Sequence, residues 1–473
     1  MSNAEFGLIG LGVMGKSLAI NLAEKGVKLA VYNRHVSGKE EGIAKSFVEE
    51  YSDLDIQGFD DLNAFIQAMP APRNILVMVN AGAPVDAVIE DLIPLLESND
   101  MIIDAGNSHH DDTTRRANYL EEKGLVFLGT GVSGGEEGAR KGPSIMPGGS
   151  KSAYDRAGKF LEMIAAKDQK GDPCCIYVGP EGSGHFVKMI HNGIEYADMQ
   201  LISEVYHMLR YHTDAGHLAI ADLFEGWRKA GADSYLLEIT VDILRKKEGD
   251  GFIIDQILDA AGQKGTGGWS TISALGLGMP LDTISTAVMS RNLSGNKKER
   301  VEANAAYSRE YKKLDVSIAD LGDSLLNAYQ AARIVNHAIG FDVIKKASEE
   351  WNWSLNLSEI ARIWTNGCII RSELMEELKE VFKETPGKNL LVNPKIVEKM
   401  KSTKGDLSKV LATALQAGCA LPMMSAAANY FYGFTSEQSP ANMIQAQRDY
   451  FGAHTYKRKD DPEGPSHHTI WKE

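Results

Sequence analysis

The stretch Phe6-Gly7-Leu8-Ile9-Gly10-Leu11-Gly12-Val13-Met14-Gly15 decides the fold. An apolar run of strand character closes on the glycines, and a helical pattern over residues 16–25 opens directly behind them. G-x-G-x-x-G between a strand and a helix marks a dinucleotide-binding turn. The glycines permit the tight turn and let the backbone approach a pyrophosphate held at the helix N-terminus. Gly10, Gly12, Val13, Met14 and Gly15 are therefore cofactor-binding candidates. The next apolar run ends at Tyr32-Asn33-Arg34-His35. An NAD site carries an acidic residue there to accept from the ribose 2′-hydroxyl, whereas Arg34 has the charge and fork geometry for a 2′-phosphate. The expected cofactor is NADP, with Asn33, Arg34 and His35 at its adenosine end.

Working outward, strand-like runs recur at 6–11, 28–32, 74–79, 101–104 and 125–128, with amphipathic segments such as 84–96 between them. Strands alternating with helices predict a parallel sheet covered on both faces. Runs at 144–146 and 176–178 are expected to extend it. After about Gly184 the strand pattern stops. Helical spacing then runs through 184–210, 221–230, 234–247, 323–350, 357–365, 372–383, 394–401 and 407–432, the last broken at Pro422. The expected organisation is an α/β Rossmann-like domain over 1–180, a large all-α domain over 181–438, and an extended tail over 439–473. Trp227, Gly231 and Ser234 are echoed by Trp364, Gly367 and Ser372, which suggests duplicated helix pairs. The tail's Tyr450, Phe451, Tyr456 and Trp471 are costly to leave in water, so the tail is expected to lie across another surface.

The 473 residues suggest three domains, or two with one large. Hydrophobic residues at 43% and charged residues at 24% exclude a disordered chain. Sixty-four acidic against 50 basic residues, a net charge of −14, argue against a general nucleic-acid binder. Local arginines and lysines can still hold a small anion. Cys174, Cys175, Cys368 and Cys419 show neither metal-ligand spacing nor a disulfide pattern, so reduced thiols and no metal are expected. The first residues lack signal-peptide character. The longest uncharged stretch, 410–436, is interrupted by Gln416, Gly418, Pro422, Asn429 and Gly433 and reads as buried helices, not a membrane span. A cytoplasmic protein is expected.

The chemistry concentrates in Gly184-His185-Phe186-Val187-Lys188-Met189-Ile190-His191-Asn192-Gly193-Ile194-Glu195-Tyr196. Lys188, His191, Asn192 and Glu195 fall at i, i+3, i+4 and i+7, on one helical face. A lysine, an imidazole, an amide and a carboxylate on one stripe suit hydride and proton transfer. A Lys–Glu face can equally be a solvated surface, but the glycine-rich entry favours a site. Gly131-Val132-Ser133-Gly134-Gly135-Glu136-Glu137-Gly138 and Gln263-Lys264-Gly265-Thr266-Gly267-Gly268-Trp269 offer small residues and donors for an anion. The second is not a P-loop, because its Gly, Lys and Thr fall in a different order and spacing.

Together with Asp104-Ala105-Gly106-Asn107-Ser108, Arg291 and the tail around Arg448 and His454, these motifs resemble one family over nearly the whole chain: the decarboxylating 6-phosphogluconate dehydrogenases. Smaller 3-hydroxyacid dehydrogenases share the first motifs and a lysine but lack the long helical domain and tail. The resemblance implies oxidation of 6-phosphogluconate at C3 by NADP, then loss of carbon dioxide to give ribulose 5-phosphate, without a metal. It implies Lys188 as general base and then acid, and Glu195 as the acid that protonates C1 of the enediol. Asn107, Ser133, Gly134, Gly135, His191 and Asn192 would hold the sugar acid. Tyr196, Lys264, Thr266, Arg291 and Arg448 would meet the phosphate, with His454 nearby. Val79, Asn80, Ala81 and Asn107 would flank the cofactor. Arg448 and His454 would come from the second subunit of a homodimer. Gly268 and Asn80 stand where the family often has lysine, and His35 where it has a small hydroxyl residue. For Lys188 to act as a base, desolvation or a nearby cation must lower its pKa. A dehydrogenase for a non-phosphorylated acid would leave Lys264, Thr266, Arg291 and Arg448 without a purpose, and a non-catalytic NADP sensor would not need Lys188 and Glu195.

Overall fold

The computed structural model describes residues 4–263, 265–314 and 316–472. Seven short strands build the N-terminal sheet: β1 (Phe6–Ile9), β2 (Leu29–Tyr32), β3 (Ile56–Phe59), β4 (Asn74–Val77), β5 (Met101–Asp104), β6 (Val126–Val132) and β7 (Ile145–Gly149). Their order is β3-β2-β1-β4-β5-β6-β7. The first six run parallel and β7 returns antiparallel to β6, with Val132 opposite Ile145 and Leu128 opposite Gly149. Leu8, Leu29, Val31 and Ile103 belong to the core on one face, and Ile9, Ala30, Ile75 and Ile102 to the core on the other. Burial on both faces explains why these strands read as unbroken apolar runs. The strand order reverses between β1 and β4, and there the turn 10–15 leads into α1 (Val13–Glu24). Ligands of open α/β sheets bind at such a switch point.

Two expectations need correction here. β3 was not anticipated. Residues 176–178 form no strand; the segment lies beside β7 with isolated bridges at Ile145–Cys175 and Gly148–Gly179 and with Val178 N donating to the Pro147 carbonyl (2.8 Å).

Beyond residue 183 the chain is helical but for a short antiparallel pair, Lys247–Glu248 with Gly251–Phe252. α2 (Ser183–His212) and α5 (Ile318–Glu350) pack together, with α3 (Thr266–Gly276) and α4 (Asp282–Gly295) against α2. The α2–α5 contact is close because Gly340 has no side chain: a Cβ there would lie 2.6 Å from Ile194. A buried polar cluster fixes the register. Asn336 Nδ2 donates to Asp198 Oδ1 (2.9 Å) and to the Ile194 carbonyl (3.1 Å), and Arg333 Nε to Asp198 Oδ2 (3.3 Å). Such a cluster stands only when every member is partnered. α3 and α4 were not anticipated, and the segments 394–401 and 407–432 divide elsewhere: one helix spans Pro394–Gln416 and the next Pro422–Phe434.

The sequence echo has a structural counterpart. Tyr235 N donates to the Arg371 carbonyl (3.1 Å) and Glu373 N to the Asp233 carbonyl (3.0 Å), a reciprocal exchange. Ser234 and Ser372 each cap the helix they precede. The tail carries α6 (Ala441–Gly452), with Asp449 buried beneath the chain that follows it. Asp449 accepts from Thr455 N (3.0 Å), Thr469 N (3.0 Å), His468 Nδ1 (2.9 Å) and Trp471 Nε1 (2.9 Å). Among the described residues no helix is long and apolar enough to cross a membrane.

Candidate active site

The N-terminal turns of α2 lie across the backbone of β6 and β7 through a seam of glycines. A Cβ on Gly184 would stand 2.3 Å from the Met146 carbonyl oxygen, 2.6 Å from Gly148 N and 2.7 Å from the Gly129 carbonyl oxygen. One on Gly148 would reach Gly184 N at 2.3 Å, and one on Gly131 would meet Lys188 Cβ at 2.4 Å. The glycines of 131–138 thus do more than form a loop. Gly131 lets the helix settle so that Lys188 emerges beside the end of β6.

Four side chains gather there. Lys188 Nζ lies 3.4 Å from His191 Nδ1, and His191 Nε2 lies 3.2 Å from Ser133 Oγ. Asn192 Oδ1 is 3.3 Å from His191 Nδ1, and Asn192 Nδ2 donates to Thr266 Oγ1 at 3.4 Å. Glu195 Oε2 is 3.9 Å from His191 Nδ1. The stripe is not a solvated surface, since Lys188, His191 and Asn192 are all buried. Burial lowers the Lys188 pKa to about 8, against the opposing pull of Glu195 and Cys368. Burial also raises Glu195 above the usual carboxylate range, with Lys188 and Arg291 pulling the other way. His191 is driven well below the ordinary imidazole value by burial and by Lys188. Burial thus moves the lysine down and the carboxyl up, drawing their titrations towards each other.

The remaining candidate residues stand on neighbouring elements. The Arg291 guanidinium lies over the Tyr196 ring, 3.5 Å from its centroid, and Arg291 Nη1 donates to the Gly262 carbonyl (3.4 Å). Thr266 is buried at the start of α3, and Lys264 lies outside the described residues. Gly134 and Gly135 adopt positive φ (102° and 61°), which few other residues tolerate, and lead from Ser133 into the helix Gly135–Lys141. Asn107 is exposed past the end of β5, in a loop set by Asp104, whose two oxygens accept from Gly106 N (3.0 Å) and Ser108 Oγ (2.6 Å). Cys368 and Trp364 were not foreseen as neighbours: the indole meets the His191 ring edge-on at 5.3 Å. No local signal in sequence links positions so far apart.

At the switch point, Leu11 N donates to Asn33 Oδ1 (3.0 Å), tying the glycine turn to the end of β2. Gly10 and Gly15 are dictated by protein packing, since a Cβ would lie 2.4 Å from the Met78 carbonyl or 1.8 Å from the Gly10 carbonyl. Gly12 is different. A Cβ there would meet no atom within 4 Å. Open space over the second glycine at a helix N-terminus is what an approaching pyrophosphate requires. Val13 is exposed and Met14 half-buried beside it, and Val79, Asn80 and Ala81 follow β4 across the same crevice. Arg34 and His35 are exposed, and Arg34 donates to Glu40 through Nε (3.2 Å) and Nη2 (3.0 Å). Glu40 is the group the sequence did not reveal: a 2′-phosphate reaching Arg34 competes with this carboxylate. The residues present fit a phosphorylated dinucleotide.

The structure does not bring the tail to this site within one chain. Arg448 and His454 are exposed, and among the described residues every hydrogen bond, ion pair and ring contact of residues 441–472 closes on the tail or on its own linker.

Comparison with known proteins agrees with this arrangement. Residues 5–179 match the family described as "NAD binding domain of 6-phosphogluconate dehydrogenase", and residues 184–471 that described as "6-phosphogluconate dehydrogenase, C-terminal domain". A Bacillus subtilis protein named "6-phosphogluconate dehydrogenase, NADP(+)-dependent, decarboxylating" is 45% identical over 475 residues, covering 100% of both chains. A Lactococcus lactis protein named "6-phosphogluconate dehydrogenase, decarboxylating" is 44% identical over 97% of both chains. The solved Plasmodium falciparum 6-phosphogluconate dehydrogenase, studied in apo form and with NADP+ and 6-phosphogluconate, superposes with a TM-score of 0.93 at 37% identity, covering 99% of this chain and 100% of that one.

Proposed function

The chain belongs to the 6-phosphogluconate dehydrogenase family, and from that premise we propose that it converts 6-phosphogluconate and NADP to ribulose 5-phosphate, carbon dioxide and NADPH. The observation that carries this reading is the buried group Lys188, His191, Asn192 and Glu195, set between Ser133 and Thr266. NADP, when bound, supplies the acceptor for the C3 hydride. Gly12 and the N-terminus of α1 receive its pyrophosphate, and Arg34 its 2′-phosphate.

Neutral Lys188 takes the proton of the C3 hydroxyl as the hydride leaves, giving the 3-keto acid. The ammonium so formed then donates to the keto oxygen while the C1 carboxylate departs as carbon dioxide and its bonding electrons pass into an enediol. Protonated Glu195 delivers a proton to the enediol carbon that becomes C1 of ribulose 5-phosphate. Burial raises the Glu195 pKa and so favours the protonated form. Ser133, His191 and Asn192, with Asn107 and the Gly134–Gly135 turn, orient the sugar acid. Arg291 over Tyr196, with Thr266 and Lys264, receives the phosphate. The division into a cofactor domain (1–180), a substrate domain (181–438) and a tail (439–473) belongs to the same reading, as does a cytoplasmic location.

Purified protein with 6-phosphogluconate and NADP should generate NADPH and carbon dioxide together. Gluconate in place of its phosphate ester, or NAD in place of NADP, should be turned over poorly. Formation of NADPH without carbon dioxide would reject the decarboxylating reading. The pH dependence has a definite sign. The base must be unprotonated in the free enzyme, so kcat/KM rises about tenfold per unit towards the Lys188 pKa of about 8 and levels above it. A profile flat between pH 6 and about 8 would remove Lys188 as the base.

The tail completes the site of a second subunit in a homodimer, which accounts for its exposed Ile444, Phe451 and Ile470 and for polar bonds that, among the described residues, close on the tail and its own linker. Arg448→Ala should raise the KM for 6-phosphogluconate by about 30-fold, the effect of removing one partner of a desolvated charge pair, without changing the KM for NADP. Mixing Lys188→Ala with Arg448→Ala chains separates partner from self. With substrate well below the raised KM, random hybrids regain parental efficiency at about a quarter of the sites if the tail crosses over, and at none if it acts on its own body.

A further inference from the structure

Between about 28 and 36 Å along α2 from Lys188, at 1.5 Å per residue, the last turns of the helix hold a second cluster unrelated to the proposed mechanism. His207 and His212 lie on its last turns, and Cys419 sits in the turn 417–421 between the helices Pro394–Gln416 and Pro422–Phe434. One ligand atom from each, two imidazole nitrogens and the Cys419 sulfur, lie within 4.8 Å of one another. His212 and Cys419 are each 1% exposed, and His207 is half-buried.

The orientation of His212 is the deciding feature. Its Nδ1 lies 2.8 Å from the Lys312 carbonyl, which can only accept, so the proton is on Nδ1. Nε2 is left as a bare lone pair, fully buried and without a hydrogen-bond partner among the described residues. A buried acceptor left in that state is costly. A ring whose one nitrogen donates to a carbonyl while the other is left without a partner is the usual bearing of a metal-ligating histidine. Tyr311 closes the outer side, edge-on to both imidazoles at 5.7 and 5.5 Å, and is itself half-exposed. The charges nearby are mixed. Arg309 donates to the Gly418 carbonyl and opposes a cation, whereas the buried Glu204 carboxylate, held by Met423 N and Met424 N, and the C-terminal end of α2 favour one.

We propose that His207, His212 and Cys419 form a binding site for a transition-metal ion of the zinc class. The ion would fasten the C-terminal end of the catalytic helix to the 417–421 turn. Two imidazoles and a thiolate suit Zn2+, with a water entering beside His207 as the fourth ligand. Ligand atoms of a tetrahedral zinc lie about 3.5 Å apart, so any wider separation closes on binding, and the Cys419 thiol gives its proton to solvent. The site plays no part in hydride or proton transfer.

Full-length protein stripped with a chelator and titrated with Co2+ should bind one ion per chain, with a thiolate-to-cobalt charge-transfer band that Zn2+ then abolishes. Cys419→Ser should lose the band, and His207→Ala should weaken Co2+ binding at least about tenfold. Both should turn over 6-phosphogluconate within about twofold of the parent. The group His109, His110 and Asp111 also brings ligand atoms within 4.8 Å but contains no thiol. Binding without a charge-transfer band, or a band that survives Cys419→Ser, overturns the proposal. If Cys419→Ser fails to fold, His207→Ala decides alone, because its residue is only half-buried; unchanged Co2+ affinity in that variant also overturns the proposal.

Discussion

Lys188→Ala should lower kcat/KM for 6-phosphogluconate by about a thousandfold or more, while the Kd for NADP stays within about twofold of the parent. The asymmetry follows from where the side chain sits. Lys188 lies in the second turn of α2 beside the end of β6, 3.4 Å from His191, whereas the glycine turn 10–15 stands at the β1–β4 switch point. In the proposed mechanism, removing the amine deletes both the base for the C3 hydroxyl and the acid for the keto oxygen, so one change strikes two steps. The fold should survive, because a buried ammonium is costly and its loss relieves desolvation as it removes packing. Lys188→Met keeps more of the volume and should fail in the same way. Stopped-flow measurement of NADPH formation and of cofactor fluorescence separates the two quantities. Turnover of Lys188→Ala within tenfold of the parent would remove the lysine from the mechanism.

Gly184→Ala should be among the most damaging single methyl additions in the chain. Its Cβ would fall within 2.7 Å of three backbone atoms of β6 and β7, none of which can rotate away. Overpacking usually costs about 1–3 kcal/mol, and rigid backbone on three sides puts this position at or above the upper end. The helix must lift from the sheet, and Lys188 and His191 lift with it, so activity should fall together with the midpoint of urea unfolding. The control is Gly405→Ala in the helix Pro394–Gln416, where a Cβ meets nothing within 4 Å. Relief of backbone entropy there should stabilise by about 0.5–1 kcal/mol. Equal stability of the two variants would show that the seam yields more easily than its geometry allows.

How far the sequence could be read depended on range. The turn 10–15 and the stripe 188–195 declare themselves because strand and helix periodicity are local. Burial of that stripe was not legible, since it depends on Gly129, Gly131 and Gly148 of other elements. β3 was missed because Ile56-Gln57-Gly58-Phe59 is a short edge strand interrupted by glycine. α3 was hidden because Thr266-Gly267-Gly268 reads as loop, yet these residues form its first turn. The polar run Lys401-Ser402-Thr403-Lys404-Gly405 made one helix look like two. Glu40 was overlooked because its pairing with Arg34 spans an irregular segment. Spacing rules likewise give no sign of Cys419 beside His212, since the two stand more than two hundred positions apart and only the packing of three elements joins them.

In the homodimer proposed above, the knot around Asp449 would bear on the speed and cost of assembly. A floppy arm must surrender its freedom on docking, and that loss is taken from the strength of the contact. Here Thr455, His468, Thr469 and Trp471 are already gathered on one carboxylate inside the arm itself. Its ordering is completed during folding, and little remains to be lost at encounter. Subunits built this way would lock by collision of finished surfaces, and Asp449→Asn would slow their association before it touched the chemistry.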